Sequence, residues 1–108
     1  MSWDVWLEID TGSGNYMTEG DLNYTSNAGV MFAKAGLSHF GGTLNRMEAP
    51  RAVIILKDVI TAMEEDPATY RALEPPNGWG DYDSALEFIT KVYRLCLAHP
   101  KATLRVSY

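Results

Sequence analysis

A chain of 108 residues and 12.0 kDa has room for one ordinary domain, so a multidomain machine is excluded. With 46% hydrophobic residues it can close a core, and disorder or a fibrous repeat does not fit. The formal charge of -5 sits in the first third, where Asp4, Glu8, Asp10, Glu19 and Asp21 stand without a Lys or Arg. A duplex-binding domain needs a basic stripe to release counterions, so neither a nucleic acid duplex nor an anionic membrane is an expected partner. No apolar run approaches a bilayer span and Met1-Ser2-Trp3-Asp4 does not open a signal peptide, which predicts a soluble, intracellular protein. Cys96 is the single cysteine, so no internal disulfide or Cys/His zinc cluster is expected, and no cofactor is implied.

Trp3, Val5, Leu7 and Ile9 alternate with Asp4, Trp6, Glu8 and Asp10, the period of two of a strand with one face in the core. Thr11-Gly12-Ser13-Gly14-Asn15 supplies turn residues, and Tyr16 to Tyr24 returns as a second strand that Glu19-Gly20-Asp21 threatens to break. Thr25 or Ser26 then caps a short helix over 28–35, ended by Gly36. Residues 37–47 contain Gly41-Gly42 and hold no sustained period, which predicts a loop.

Ala49-Pro50 opens a helix with apolar residues at 52, 53, 56, 59, 60 and 63 on one face, and Asp66-Pro67 starts a shorter one through Leu73. Glu74 to Gly80, with two prolines and two glycines, forms a structured loop. Asp81 or Asp83 caps a helix over 84–98 with Ala85, Phe88, Ile89, Val92, Leu95 and Cys96 inward, and His99-Pro100 ends it. Leu104, Val106 and Tyr108 alternate with Arg105 and Ser107 in a last strand beside the first. The expectation is a single α+β domain over 1–108: a small, mainly antiparallel three-stranded sheet, N-terminal hairpin plus C-terminal strand, covered by three or four helices.

Chemistry-bearing motifs are few. Asp10-Thr11-Gly12 matches the aspartic-protease signature, but that chemistry requires a partner segment of apolar residues ending in glycine within an almost wholly β chain, and Val53-Ile54-Ile55-Leu56 lies in a helix with no glycine after it. Gly12-Ser13-Gly14 follows a strand without the spacing of a phosphate loop or a helix directly behind it. His39 sits in the glycine-rich loop and His99 at a helix end, where an imidazole commonly meets terminal carbonyls. Cys96 lies on an apolar stripe and reads as core. No nucleophile, base and metal constellation assembles from this set, so no catalytic or metal-binding residue is assigned and an enzyme is not expected.

Two polar-aromatic segments remain. Asn23-Tyr24-Thr25-Ser26-Asn27 gathers amides and hydroxyls at a helix start, and Asn77-Gly78-Trp79-Gly80-Asp81-Tyr82 sets two large aromatics in a rigid loop. Together they could bind a planar, base-like ligand, with Trp79 or Tyr82 stacking and Asn23, Asn27 or Asn77 bonding its edges, helped by Tyr24 and Thr25; the competing reading is helix capping and aromatic anchoring of a loop.

With Asp10-Thr11-Gly12 closing the first strand, Asn-Tyr-Thr-x-Asn at 23–27, Asn-Gly-Trp-Gly-x-Tyr at 77–82 and His99-Pro100 closing a helix, the sequence resembles, over nearly its whole length, a family of small uncharacterised proteins of tailed bacteriophages and prophages. The resemblance implies a phage-encoded accessory protein acting in the cytoplasm of the host bacterial cell, by analogy in counter-defence. Two functions then compete. One is sequestration of a nucleotide-like small molecule by Asn23, Tyr24, Thr25, Asn27, Asn77, Trp79 and Tyr82, within one chain or between subunits of a homo-oligomer. The other is inhibition of a host protein through the acidic, aromatic hairpin, with Asp4, Trp6 and Glu8 meeting a basic surface and Trp6 as the exposed anchor.

Overall fold

The computed structural model describes residues 1–12 and 16–108. Strand β1 (Ser2–Asp10) pairs antiparallel with β2 (Tyr16–Thr25) on one side and with β3 (Thr103–Ser107) on the other, giving the order β2-β1-β3. The expected α+β layout is present. A 3₁₀ turn (Ser26–Ala28) leads into α1 (Gly29–Lys34), followed by α2 (Phe40–Leu44), α3 (Ala49–Glu65), α4 (Pro67–Arg71) and α5 (Tyr82–Ala98). The Ser13-Gly14-Asn15 part of the expected hairpin turn lies outside the described residues.

Alternation along β1 sorts its side chains as the period of two requires. Trp3, Val5 and Leu7 are buried, while Asp4, Trp6 and Glu8 stand on the opposite face. Leu104 and Val106 of β3 join the buried set, and α3 and α5 complete it with Ala52, Leu56, Val59 and Met63 facing Ala85, Ile89, Val92 and Cys96. An aromatic group fills one end: Trp3 lies 4.3 Å from Phe40 and Phe88 lies 4.9 Å from Tyr24, centroid to centroid. Burial raises the Cys96 thiol to about 11, so it behaves as an apolar core group rather than a nucleophile.

Glu19-Gly20-Asp21 does not break the second strand; it bends it. Val5 pairs with Leu22 and Leu7 with Glu19, so Gly20 and Asp21 together oppose Trp6 in a bulge. Gly20 has φ of +74°, and a Cβ there would stand 2.5 Å from Leu95 Cδ2. The positive φ of the bulge is what favours glycine here, and β2 approaches α5 so closely that any side chain would also have to push the Leu95 methyls aside.

The expected loop over 37–47 contains the short helix α2. Its Gly41-Gly42 pair argued against helix on propensity, and tertiary packing outweighed it: Phe40 and Leu44, one turn apart, are both buried, and Thr43 Oγ1 donates to the Ser38 carbonyl at 2.8 Å. The free side of β3 is also occupied. Arg46 N donates to the Leu104 carbonyl at 2.7 Å, Leu104 N to Met47 O at 2.7 Å, and Val106 N to Asn45 Oδ1 at 3.0 Å. The sheet thus has one sealed edge, at β3, and its other edge at β2.

Candidate functional site: a polar-aromatic cleft

Thr25 ends β2 and caps the 3₁₀ turn behind it, its Oγ1 accepting from Asn27 N at 3.3 Å. Ser26 anchors the start of the chain, with both its amide and its hydroxyl donating to the Met1 carbonyl, at 3.1 and 3.0 Å. The 74–81 loop is folded by its own turn chemistry. Gly78 N donates to Pro75 O at 3.1 Å, and Trp79 N donates to the Asn77 side-chain oxygen at 3.0 Å. At the end of the loop, Asp81 accepts from Ser84 N at 3.4 Å and caps α5. Hydrogen bonding from Ser84 holds the Asp81 carboxyl below its ordinary range, so this cap is charged at neutral pH.

These two segments meet. A cleft of about 650 Å³ lies between them, lined by Asn23, Tyr24, Thr25 and Asn27 from one side, by Asn77, Trp79, Gly80, Asp81 and Ser84 from the other, and by Met1 and Ser2 at one end. Trp79 is 69% exposed, an indole face held at the rim with nothing packed over most of it. Asn23 Nδ2 donates to Asp4 Oδ1 at 2.8 Å, which leaves its oxygen as the acceptor side, whereas Asn77 is turned the other way, with its oxygen already used by Trp79 N. The Tyr24 hydroxyl is buried and makes no hydrogen bond of good geometry. Burial first, then the Asp81 carboxylate, push this phenol up to about 12 against an opposing effect of Ser84, with Glu87 adding a lesser push upward, so it stays protonated.

Tyr82 is placed elsewhere. It is 4% exposed, its hydroxyl donates to the Met63 carbonyl at 2.7 Å, and the Arg71 guanidinium lies over its ring at 4.6 Å. Of the two aromatics in the loop, Trp79 faces the cleft and Tyr82 anchors α5 to α3. The reason is helical phase: Tyr82 is the first residue of α5 and shares its buried stripe with Ala85 and Ile89. Sequence reading did not include Ser2, Gly80, Asp81 and Ser84 among the site residues. Asp81 had the signature of a cap, and a cap at a cleft-facing helix start is automatically a wall of that cleft.

The Asp4, Trp6 and Glu8 set lies on the outer sheet face. Trp6 is half-buried rather than fully exposed, Asp4 is held by Asn23, and Glu8 Oε1 accepts from Arg105 Nη1 at 2.6 Å. Asp10 accepts from Gly12 N at 2.8 Å. The acids of β1 therefore have partners inside the protein. His39, with φ of 53°, lines a separate hollow with Trp3, Val30, Phe40 and Tyr108, and His99 is the C-cap of α5, its amide donating to Cys96 O at 3.3 Å. No helix among the described residues is long and apolar enough to cross a membrane.

No family model matches the chain, and neither the curated proteins nor the solved structures contain a detectable relative.

Proposed function

We propose that the chain is a non-enzymatic binding protein whose cleft takes up and sequesters a small planar molecule of nucleobase-like character, and that it serves as a phage-encoded counter-defence accessory in the host cytoplasm. One observation carries the binding reading: Asn23–Asn27 and Asn77–Asp81, about fifty positions apart in the chain, line one cleft. An exposed indole offers a stacking surface, and Asn23, Asn27 and Asn77 offer donors and acceptors of the kind that read a base edge.

The electrostatics narrow the ligand class. No Lys or Arg lines the cleft, and Asp81 contributes a carboxylate. A polyphosphate would meet the Asp81 carboxylate with no Lys or Arg among the described lining residues to hold it, so the lining favours the base over the phosphates as the recognised part of the molecule. Of the two histidines, neither lines this cleft, and the buried thiol is remote from it in the core. That supports uptake without turnover.

The test is native mass spectrometry of protein purified gently from a bacterial host, beside the denatured mass. A discrete mass excess lost on denaturation, and absent in Trp79→Ala, is expected. A ligand-free protein whose Trp79→Ala variant behaves identically toward a panel of nucleobases and nucleosides in calorimetry would overturn the reading.

A further inference from the structure

The β2 edge differs from the β3 edge in what lies beside it. Whereas residues 45–47 seal β3, no backbone group of Tyr16–Tyr24 pairs with anything but β1 among the described residues. Unpaired edges are usually defended, and Glu19, Asp21 and the Gly20 bulge are defences of the common kind. Defence alone would end the matter, but a second feature lies beneath the edge. Between β2 and α5 is a hollow of about 220 Å³ with Leu22, Tyr24 and Phe88 as its apolar wall and Ser84, Glu87 and Lys91 at its rim. The buried, unpartnered Tyr24 hydroxyl belongs to this wall. At the bulge the gap closes, where Gly20 rests on Leu95; beyond Leu22 it opens and runs on into the cleft, which shares Asn23, Tyr24 and Ser84.

An open strand edge running above a side-chain hollow is the arrangement by which sheets accept an added strand: main-chain bonds hold the segment, and alternate side chains enter pockets. Charge selects the occupant. Glu19 and Asp21 are exposed on the edge strand itself, which carries no Lys or Arg, Asp81 lines the adjoining cleft, and Glu87 lines the hollow, where Lys91, the one cation among its described lining residues, is already bonded to Glu87 at 3.0 Å. A second copy adding through its own β2 would set Glu19 and Asp21 against themselves. We infer that the open edge of β2 binds an extended, lysine- or arginine-bearing segment of a partner protein as a fourth strand, with one long basic side chain laid along Leu22 and Phe88 in the hollow beside α5. The stem of such a side chain suits the apolar wall while its cationic head reaches Glu87 at the rim, in competition with Lys91, and the carboxylates of the edge strand.

This inference does not rest on the small-molecule reading, and its test separates the two. The probe is an acetylated, amidated heptapeptide alternating lysine and valine, titrated into the isotope-labelled protein, alongside a peptide with glutamate for lysine and one with proline at its centre. Amide shifts confined to 21–25 and 84–91 are expected, with slowed hydrogen exchange along 21–25. Both control peptides should bind at least about tenfold more weakly, the first from charge and the second from lost main-chain bonding. Glu19→Lys with Asp21→Lys, both on the surface, should weaken the lysine peptide by about tenfold with an unchanged circular dichroism spectrum. Trp79→Ala should leave peptide affinity within about twofold while abolishing small-molecule binding. No shifts at about 1 mM peptide, equal binding of the proline peptide, or concentration-dependent β2 shifts without peptide would each overturn the inference.

Discussion

Gly80 rests against Asn27: a Cβ built on Gly80 would lie 3.4 Å from the Asn27 Cβ, 3.3 Å from the Ala28 amide nitrogen and 3.2 Å from Thr25 Cγ2. Its φ of +96° is also one that L residues seldom adopt. The contact is what brings the two halves of the cleft together. Gly80→Ala should therefore cost about 1–3 kcal/mol of stability from backbone strain and force the loop away from the 25–28 turn. Urea unfolding reads the first effect, and loss of proton contacts between Gly80 and the Thr25 methyl and Ala28 amide reads the second. A variant as stable as the parent with those contacts intact would show that the loop is not held by this approach.

Tyr82 and Trp79 are three residues apart and should respond oppositely to truncation. Tyr82→Phe removes the donor to the Met63 carbonyl inside the core and should lower stability by about 0.5–1.5 kcal/mol, as a buried neutral hydrogen bond does. Trp79→Ala removes an exposed ring and should change stability by less than about 0.5 kcal/mol. Thermal unfolding of both variants checks this. Equal destabilisation would mean that Trp79 also anchors the loop, which is the competing account of why the aromatic is there.

Strands β1 and β3, α3 and α5 were legible because each carries a period that only one burial pattern satisfies: Trp3-Val5-Leu7 at two, and Ala52-Leu56-Val59-Met63 at the helical repeat; β2, exposed over its first six residues, was legible only as the return arm of a hairpin. Helix α2 was not, since five residues hold too little period to register and its glycine pair points away from helix; tertiary packing, with Phe40 on Trp3 and Leu44 buried one turn on, explains it. At the cleft, Asn23, Asn27, Asn77 and Trp79 were legible from composition, because polar and aromatic residues beside turns have no core to enter. Tyr82 was misplaced by one structural fact, that α5 begins at Tyr82 and not two residues later. That shift moves the ring from the loop to the first turn of a buried stripe. Glu8 shows the same limit on the other face, since its partner Arg105 is far away in sequence.

Asn45 joins the sealed edge to the outer face. Its Oδ1 accepts both from Val106 N at 3.0 Å and from Arg105 Nε at 3.1 Å, while Arg105 Nη1 reaches Glu8. Asn45→Ala would strip two donors at once and should cost about 1–3 kcal/mol, whereas Glu8→Gln, which keeps a hydrogen bond to Arg105, should cost less than about 1 kcal/mol. Chemical denaturation of the two variants ranks them. The reverse order would mean that the ion pair, rather than the asparagine, holds β3 against the rest of the sheet.

Tyr24 contributes to the alkaline limit of the fold, beside Cys96, Tyr70 and Tyr82, whose protons burial also holds, and its share can be isolated by substitution. Its phenol titrates near 10 in an unfolded chain and near 12 in the folded one, raised by burial and by the Asp81 and Glu87 carboxylates. Between those values the unfolded chain has lost the proton that the folded chain still holds. The stability contribution is therefore complete below pH 10 and is lost as pH rises toward 12. Tyr24→Phe should flatten the fall of unfolding free energy over that window, and the difference in phenolate absorbance between parent and variant should titrate near 12. At neutral pH the same variant should be as stable as the parent or slightly more so, because it removes a buried hydroxyl that has no hydrogen-bond partner. A difference titration near 10, or a clear loss of stability at neutral pH, would mean that the hydroxyl is solvated or bonded in solution and that the wall of the cleft is open to water at this point.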